Sequence, residues 1–161
     1  MKKLVLILLI SPLGVLAQDE FSLTEKVKSV LGFTAPLTYV EDMQKMKNVF
    51  VLDAREREEF DVSHLPGAIH VGDKRVDMSL LGNVTESDTI IVYCTVGYRS
   101  EKVAEKLRDA GYTNTFNLFG GIFAWKNDGG KVVDKSGRAT EKVHCYNKSW
   151  SLFLLNGEKV Y

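Results

Sequence analysis

The sequence predicts an α/β domain built on a largely parallel sheet with helices on both faces. Three observations lead there. Short runs of apolar, β-branched residues recur along the chain. Between them lie stretches whose apolar residues fall every three or four positions, the helical spacing. The clearest run, Thr89-Ile90-Ile91-Val92-Tyr93, has no polar alternation, as expected of a strand covered on both faces. The length of 161 residues suits one domain plus at most a short extra segment.

The chain opens with Lys2 and Lys3, an unbroken apolar run over residues 4–10, and loosening by Ser11-Pro12 and Gly14. Val15-Leu16-Ala17 then offers the small residues that a signal peptidase reads. This pattern predicts a secretory signal peptide over residues 1–17, cleaved after Ala17, and hence a periplasmic or secreted protein. A stable membrane anchor is not expected, because the run is short for a span of about 20 residues and Pro12 interrupts it. Residues 18–36 follow as an N-terminal helical segment, with Leu23, Val27, Val30 and Leu31 on one stripe and Gly32 as its stop.

Pro36 separates this N-terminal segment from Thr38-Tyr39-Val40, which is followed by a short helix whose Met43 and Met46 are read as core packing. Val49-Phe50-Val51-Leu52 is an apolar strand ending at Asp53. A helical stretch over 56–60 leads to the turn Pro66-Gly67 and a strand around 68–71. Residues 73–88 are polar and loop-like. After the strand at 89–93, helical spacing begins at Ser100 and carries Val103, Ala104, Leu107 and Ala110, with Gly111 as its terminator. Residues 115–118 form another strand, and Gly120-Gly121 opens a last helix through Phe123 and Trp125. From Lys131 the chain changes character. Segments at 132–133, 142–146, 150–155 and 159–161 read as short strands, and Asn156-Gly157 signals a hairpin. Residues 131–161 are therefore expected to form a β extension packed on the domain.

Composition narrows the function. Basic and acidic residues number 21 each, so no general field favours nucleic acid or an anionic membrane. Two cysteines and three histidines are scattered, without zinc-like spacing, so no metal site is expected.

The chemistry concentrates in Tyr93-Cys94-Thr95-Val96-Gly97-Tyr98-Arg99-Ser100. A buried strand ends in a cysteine, a short loop with a glycine follows, and a helix begins. Such a loop can turn successive backbone N–H groups toward one point beside the positive end of the helix. A sulfur held there is favoured as the thiolate, the form that acts as nucleophile. Gly97 permits the unusual backbone angle of the curl. Arg99 offers a charged donor, Tyr98 a pocket wall and Ser100 a helix cap.

These residues resemble the rhodanese family. Cys94 to Arg99 looks like its active-site loop. Phe60-Asp61-Val62-Ser63-His64-Leu65-Pro66-Gly67-Ala68-Ile69 resembles its first signature, and Phe119-Gly120-Gly121-Ile122-Phe123-Ala124-Trp125 its second. Asp53-Ala54-Arg55 matches an Asp-x-Arg that follows a strand of the family's sheet. The resemblance covers residues 37–130 and leaves 131–161 outside. It implies a five-stranded parallel sheet with flanking helices and a catalytic loop at a strand's C-terminal end. It further implies a sulfurtransferase that moves sulfane sulfur from a donor such as thiosulfate to cyanide or a thiol. Cys94 would carry the sulfur as a persulfide, cradled by Thr95, Val96, Gly97, Tyr98, Arg99 and Ser100. Sulfur chemistry on the cysteine itself would need no organic cofactor. A thioredoxin-like reductant is a candidate partner. Asp53 and Arg55 are expected to support the loop as an ion pair, and His64 to be a hydrogen-bonded scaffold residue.

Three other readings stay open at this stage. A non-enzymatic persulfide carrier keeps the same loop. A thiol redox protein would pair Cys94 with Cys145. A Cys-and-Arg phosphatase would need a longer loop to surround a tetrahedral phosphate than the four residues between Cys94 and Arg99.

Overall fold

The computed structural model describes residues 23–74 and 76–161. The expected signal peptide lies outside the described residues. The elements follow the predicted alternation. Helix α1 covers residues 23–28. Next come β1 (Leu37–Thr38), α2 (Val40–Lys45), β2 (Val49–Asp53), α3 (Arg57–Val62) and β3 (Ile69–His70). After a 3-10 turn at Met78–Leu81 stand β4 (Thr89–Tyr93), α4 (Tyr98–Asp109), β5 (Thr115–Leu118) and α5 (Gly121–Asn127). The first five strands form one sheet in the order β1-β5-β4-β2-β3, every neighbouring pair parallel.

The uninterrupted apolar run of β4 has its cause here. The strand is central, and its two faces feed two separate cores. Ile91 and Tyr93 point into a cluster with Leu23, Val27 and Leu31 from the α1 segment and Ile122 and Phe123 from α5. Ile90, Val92 and Cys94 point the other way, against Val103, Ala104 and Leu107 of α4. Alternate side chains of a strand must take opposite faces, so a strand buried on both has nowhere to place a polar residue.

Two local devices fix the helices around this sheet. Glu56 and Glu59 form a reciprocal capping box at the start of α3. Glu101, fully buried on α4, accepts hydrogen bonds from the backbone N–H groups of Gly32 and Thr34 at 2.8 and 3.0 Å. That carboxylate ties the chain leaving the α1 segment to the helix behind the loop.

The C-terminal extension departs from expectation. It contains β6 (Val132–Val133), β7 (Ala139–Thr140), β8 (Lys142–His144), α6 (Lys148–Ser151) and β9 (Glu158–Val160). Residues 150–155, expected as a strand, begin inside α6 and continue as turns, because Asn147 caps that helix by accepting a bond from the Trp150 N–H at 3.0 Å. With no strand before it, Asn156-Gly157 makes no hairpin. Instead β9 runs parallel to β8, with Lys142 opposite Glu158. Val143, Cys145 and Leu154 join the core on the α1 and α5 side. The extension also bridges to the domain where His64 pairs with Val133.

At the C-terminal ends of β2 and β4, Asp53 and Arg55 form an ion pair in which both side chains are 0% exposed. Arg55 Nη2 donates to Asp53 Oδ2 at 2.7 Å and to the Ser63 carbonyl at 2.6 Å. Tyr93 donates its hydroxyl to the same carboxylate and accepts the Leu65 N–H at 3.0 Å. Breaking a buried pair by deleting one partner leaves the other charge without water or counter-ion. Arg55→Met is therefore expected to lower unfolding free energy by about 3–5 kcal/mol. Urea unfolding of the variant beside the parent protein measures this, and a change below about 1 kcal/mol would contradict the buried-pair account.

Candidate functional site

The β4 strand delivers Cys94 to the sheet's C-terminal edge, where the next four residues turn back into α4. Gly97 carries the turn at φ +112°, a backbone angle open to glycine and strained for other residues. Its N–H points at Cys94 Sγ, 3.2 Å away. The N–H groups of Tyr98, Arg99 and Ser100 begin α4 and have no carbonyl partner within the helix, so this end of a 12-residue helix offers donors and a positive pole beside the sulfur.

The loop is held from beneath. Asn117 on β5 donates to the Gly97 carbonyl at 3.0 Å and accepts the Ser100 hydroxyl at 2.7 Å. Ser100 was expected to cap the helix. It lies within the first turn instead, fully buried, because the glycine before Tyr98 already takes the N-cap position. Gly121 closes the other side: its N-terminal turn of α5 packs so tightly that an added Cβ would meet the Cys94 carbonyl and come within 2.8 Å of the Thr95 backbone. The Ile122 N–H then donates to the Cys94 carbonyl at 2.9 Å. The second glycine motif thus serves the first cysteine motif across the fold.

A cavity of about 450 Å³ opens over the sulfur, lined by Cys94, Thr95, Val96, Tyr98 and Arg99 together with Val30, Asp73, Tyr146 and Trp150. A larger concavity of about 580 Å³ beside Leu23, Tyr39 and Phe119 has no cysteine among its described lining residues. Of the loop residues expected from sequence, Cys94, Thr95, Val96, Tyr98 and Arg99 line the cavity over the sulfur, while Gly97 and Ser100 do not, Ser100 being buried against β5. Asp53 and Arg55 do not line the cavity. They stand behind it and act through Tyr93, the residue before Cys94. His64 bonds through Nδ1 to the Phe60 carbonyl at 2.9 Å and stacks on the Phe60 ring, a scaffold role. Cys145 is buried and free, as is Cys94, and its Sγ lies 3.5 Å from the Val143 carbonyl.

Arg99 does not project freely toward a substrate. Its guanidinium forks onto Glu59, with Nη2 2.9 Å from Oε1, and Nη2 also donates to the Thr95 hydroxyl at 2.9 Å. Burial opposes the charge on Glu59, and the bonds from Arg99 outweigh it, holding this carboxyl below the usual carboxylate range. Burial likewise opposes the Arg99 charge, and Glu59, with the sulfur of Cys94, raises it further above its ordinary value. Sequence reading passed over Glu59, whose signal was its place in the capping box. It also missed Asp73, Tyr146, Trp150 and Val30, which carry no motif.

This architecture has known counterparts. The rhodanese-like domain profile matches residues 37–128. The chain belongs to the rhodanese-like domain family. Among its relatives, the adenylyltransferase and sulfurtransferase UBA4 of Candida albicans is 32% identical over 108 residues, covering 63% of this chain and 25% of that protein. The thiosulfate sulfurtransferase GlpE of Coxiella burnetii is 24% identical over 85 residues, covering 53% of this chain and 78% of that one. The crystal structure of a rhodanese-like domain protein from Staphylococcus aureus superposes with a TM-score of 0.54 at 24% identity, covering 62% of this chain and 98% of that chain. The chain spans only about a quarter of the length of the UBA4 protein. The rhodanese-like match ends before the C-terminal extension that supplies Tyr146 and Trp150.

The Glu59–Arg99 fork makes a pH prediction. Because the folded-state carboxyl of Glu59 is held low, its contribution to stability is fully present above the ordinary glutamate range. It is lost as pH falls through that range toward the depressed folded value. Glu59→Gln should therefore be less stable than the parent protein at neutral pH, with the difference shrinking in acid. Urea midpoints collected from neutral pH into acid check this, and a constant difference would show that the charge of Glu59 contributes nothing.

Proposed function

We propose that this protein is a sulfurtransferase that carries sulfur as a persulfide on Cys94. The observation that supports this most directly is the placement of Cys94 Sγ under the Gly97 N–H and the start of α4, at the floor of a cavity. Donors arranged in advance around a reacting atom stabilise the charge that develops there without reorganising.

In the first half-reaction the Cys94 thiolate attacks the outer sulfur of a sulfane donor. The sulfur–sulfur bond of the donor breaks, its electron pair leaves on the departing group (sulfite, if the donor is thiosulfate), and Cys94 becomes a persulfide. In the second, cyanide or a thiolate attacks the terminal sulfur and the Cys94 thiolate returns. Charge and electrons balance over the cycle, and sulfur itself is the only group moved. The backbone N–H groups at the start of α4 hold the added sulfur, and Gly121 and Asn117 keep the loop closed around it.

A disulfide between Cys94 and Cys145 fits the arrangement poorly. Cys94 packs with the α4 core and Cys145 with the α1 and α5 core, on the opposite face of the sheet. We also propose that the protein is exported and matures at Gln18, on the strength of residues 1–17 alone.

Exposure to thiosulfate or another sulfane donor should add the mass of one sulfur atom, mapped to Cys94 by peptide analysis of the intact protein. Cys94→Ser should abolish both this adduct and turnover to cyanide, since a hydroxyl cannot form a persulfide. Cys145→Ser should retain most turnover while losing about 1–3 kcal/mol of stability, because it buries a hydroxyl. Equal loss of turnover in the two variants would favour a redox pair instead. Export has its own measurement: N-terminal sequencing of the native protein should begin at Gln18, and recovery of Met1 would overturn that proposal.

A further inference from the structure

The segment after residue 130 does more than pack on the domain. It reaches over the nucleophile and supplies two aromatic walls, Tyr146 and Trp150, to the Cys94 cavity. Both are held there by specific geometry. Tyr146 sits at φ +63°, in the left-handed region that a bulky residue rarely adopts, with its N–H bonded to His144 Nδ1 at 3.1 Å. Burial keeps His144 neutral toward lower pH than an ordinary histidine, consistent with Nδ1 as an acceptor. The Tyr146 ring stands 5.2 Å from the Arg99 guanidinium and remains 56% exposed. Trp150 is capped into α6 by Asn147 and braced by Phe153, with ring centroids 5.8 Å apart.

The charges around this cavity argue against a small dianion. Among its described lining residues Arg99 is the one cation, and its fork is already filled by Glu59. Asp73 adds a carboxylate to the same lining. A dianionic donor would bring two further negative charges toward a thiolate with no unpaired cation among the described lining residues to receive them. The Lys26 ammonium stands outside that lining, 5.4 Å over the Trp150 ring. The remaining surface is aromatic and aliphatic, supplied by Tyr98, Tyr146, Trp150, Val30 and Val96.

We propose that the C-terminal extension makes this donor site selective for sulfane sulfur carried on an apolar organic body with at most one negative charge, with Tyr146 and Trp150 as the specificity-determining residues. The proposal rests on the sulfurtransferase reading and names its substrate class. With an organic persulfide, the Cys94 thiolate attacks the terminal sulfur, the sulfur–sulfur bond breaks, and the organic thiolate departs with the electron pair. With a thiosulfonate the sulfinate departs in the same way. In each case the organic group rests against Tyr146 and Trp150 while the outer sulfur faces the loop.

The test uses three donors with cyanide as acceptor: thiosulfate, methanethiosulfonate and benzenethiosulfonate. The two thiosulfonates carry the same charge and differ in the ring. The benzene-to-methane ratio of kcat/KM is measured for the parent protein, Tyr146→Asn, Tyr146→Phe and Trp150→Phe. Asparagine suits the left-handed backbone while removing the ring, and comparing one ratio across variants cancels the donors' intrinsic reactivities. Tyr146→Asn should lower the ratio about tenfold, mostly through KM of the benzene donor, the scale of one aromatic pairing lost. Tyr146→Phe should restore it, and Trp150→Phe should lower it only in part. Near-UV circular dichroism establishes that each variant is folded. An unchanged ratio in folded Tyr146→Asn would overturn the proposal, as would a parent protein that turns over thiosulfate faster than either thiosulfonate. Failure of all three donors to place sulfur on Cys94 would fell the sulfurtransferase reading itself, so the two failures are distinguishable.

Discussion

Asp53 and Arg55 face each other entirely out of solvent, where charges must be answered within the protein because water cannot reach them. The geometry that answers them also builds the site. The Asp53 carboxylate receives Arg55 and the Tyr93 hydroxyl, Arg55 reaches on to the Ser63 carbonyl, and Tyr93 accepts the Leu65 N–H. Four segments therefore converge at one end of the sheet: the ends of β2 and β4, the exit of α3, and the turn before β3. Burial, with the Asp53 charge close by, pushes the Tyr93 hydroxyl well above its usual range, so it stays a donor. Cys94 is the next residue along that strand. Its position follows from a network that contains neither Cys94 itself nor any residue of the cavity wall.

From that fixed point the loop is shaped by contacts at its base rather than by its own composition. Gly97 supplies the backbone angle, Asn117 satisfies the Gly97 carbonyl, and Gly121 permits α5 to approach the Cys94 carbonyl without a side chain between. Buried polar groups of this kind must be paired, and each pairing removes a way for the loop to open. The same economy explains Ser100. A hydroxyl inside the first turn of α4, buried against β5, is satisfied by Asn117 and so holds helix and strand in register.

Arg99 and Glu59 set the electrostatic character of the entrance. A guanidinium in a loop beside a nucleophile suggests an anion clamp when read alone. Paired with Glu59 and the Thr95 hydroxyl, it becomes a brace that joins α3 to the loop and leaves a cavity of nearly balanced charge. The extension then covers that brace with the Tyr146 ring. A family framework with an aromatic cover from outside the matched region is one way to alter donor choice without altering the sulfur chemistry.

The sequence by itself determined the parallel α/β framework, the central strand at 89–93, the turn glycine at Gly97 and the loop that carries Cys94. It also placed Asp53 and Arg55 as a supporting pair. All of these depend on short-range properties: periodicity of burial along a strand or helix, the backbone freedom of one glycine, and residues two apart at a strand end. The tertiary structure alone decided that Asn156-Gly157 would not join a hairpin, that Ser100 would bond to β5, and that Glu59 would occupy Arg99. It alone brought Tyr146 and Trp150 over Cys94. Turn propensity covers only a few neighbouring residues, and here a capped α6 removed the strand that a hairpin needs. The Glu59–Arg99 pair spans 40 positions, and the aromatic wall lies about as far from the loop on its other side. Contacts at such separations depend on which faces the packed core leaves adjacent, and local residue pattern carries no record of that.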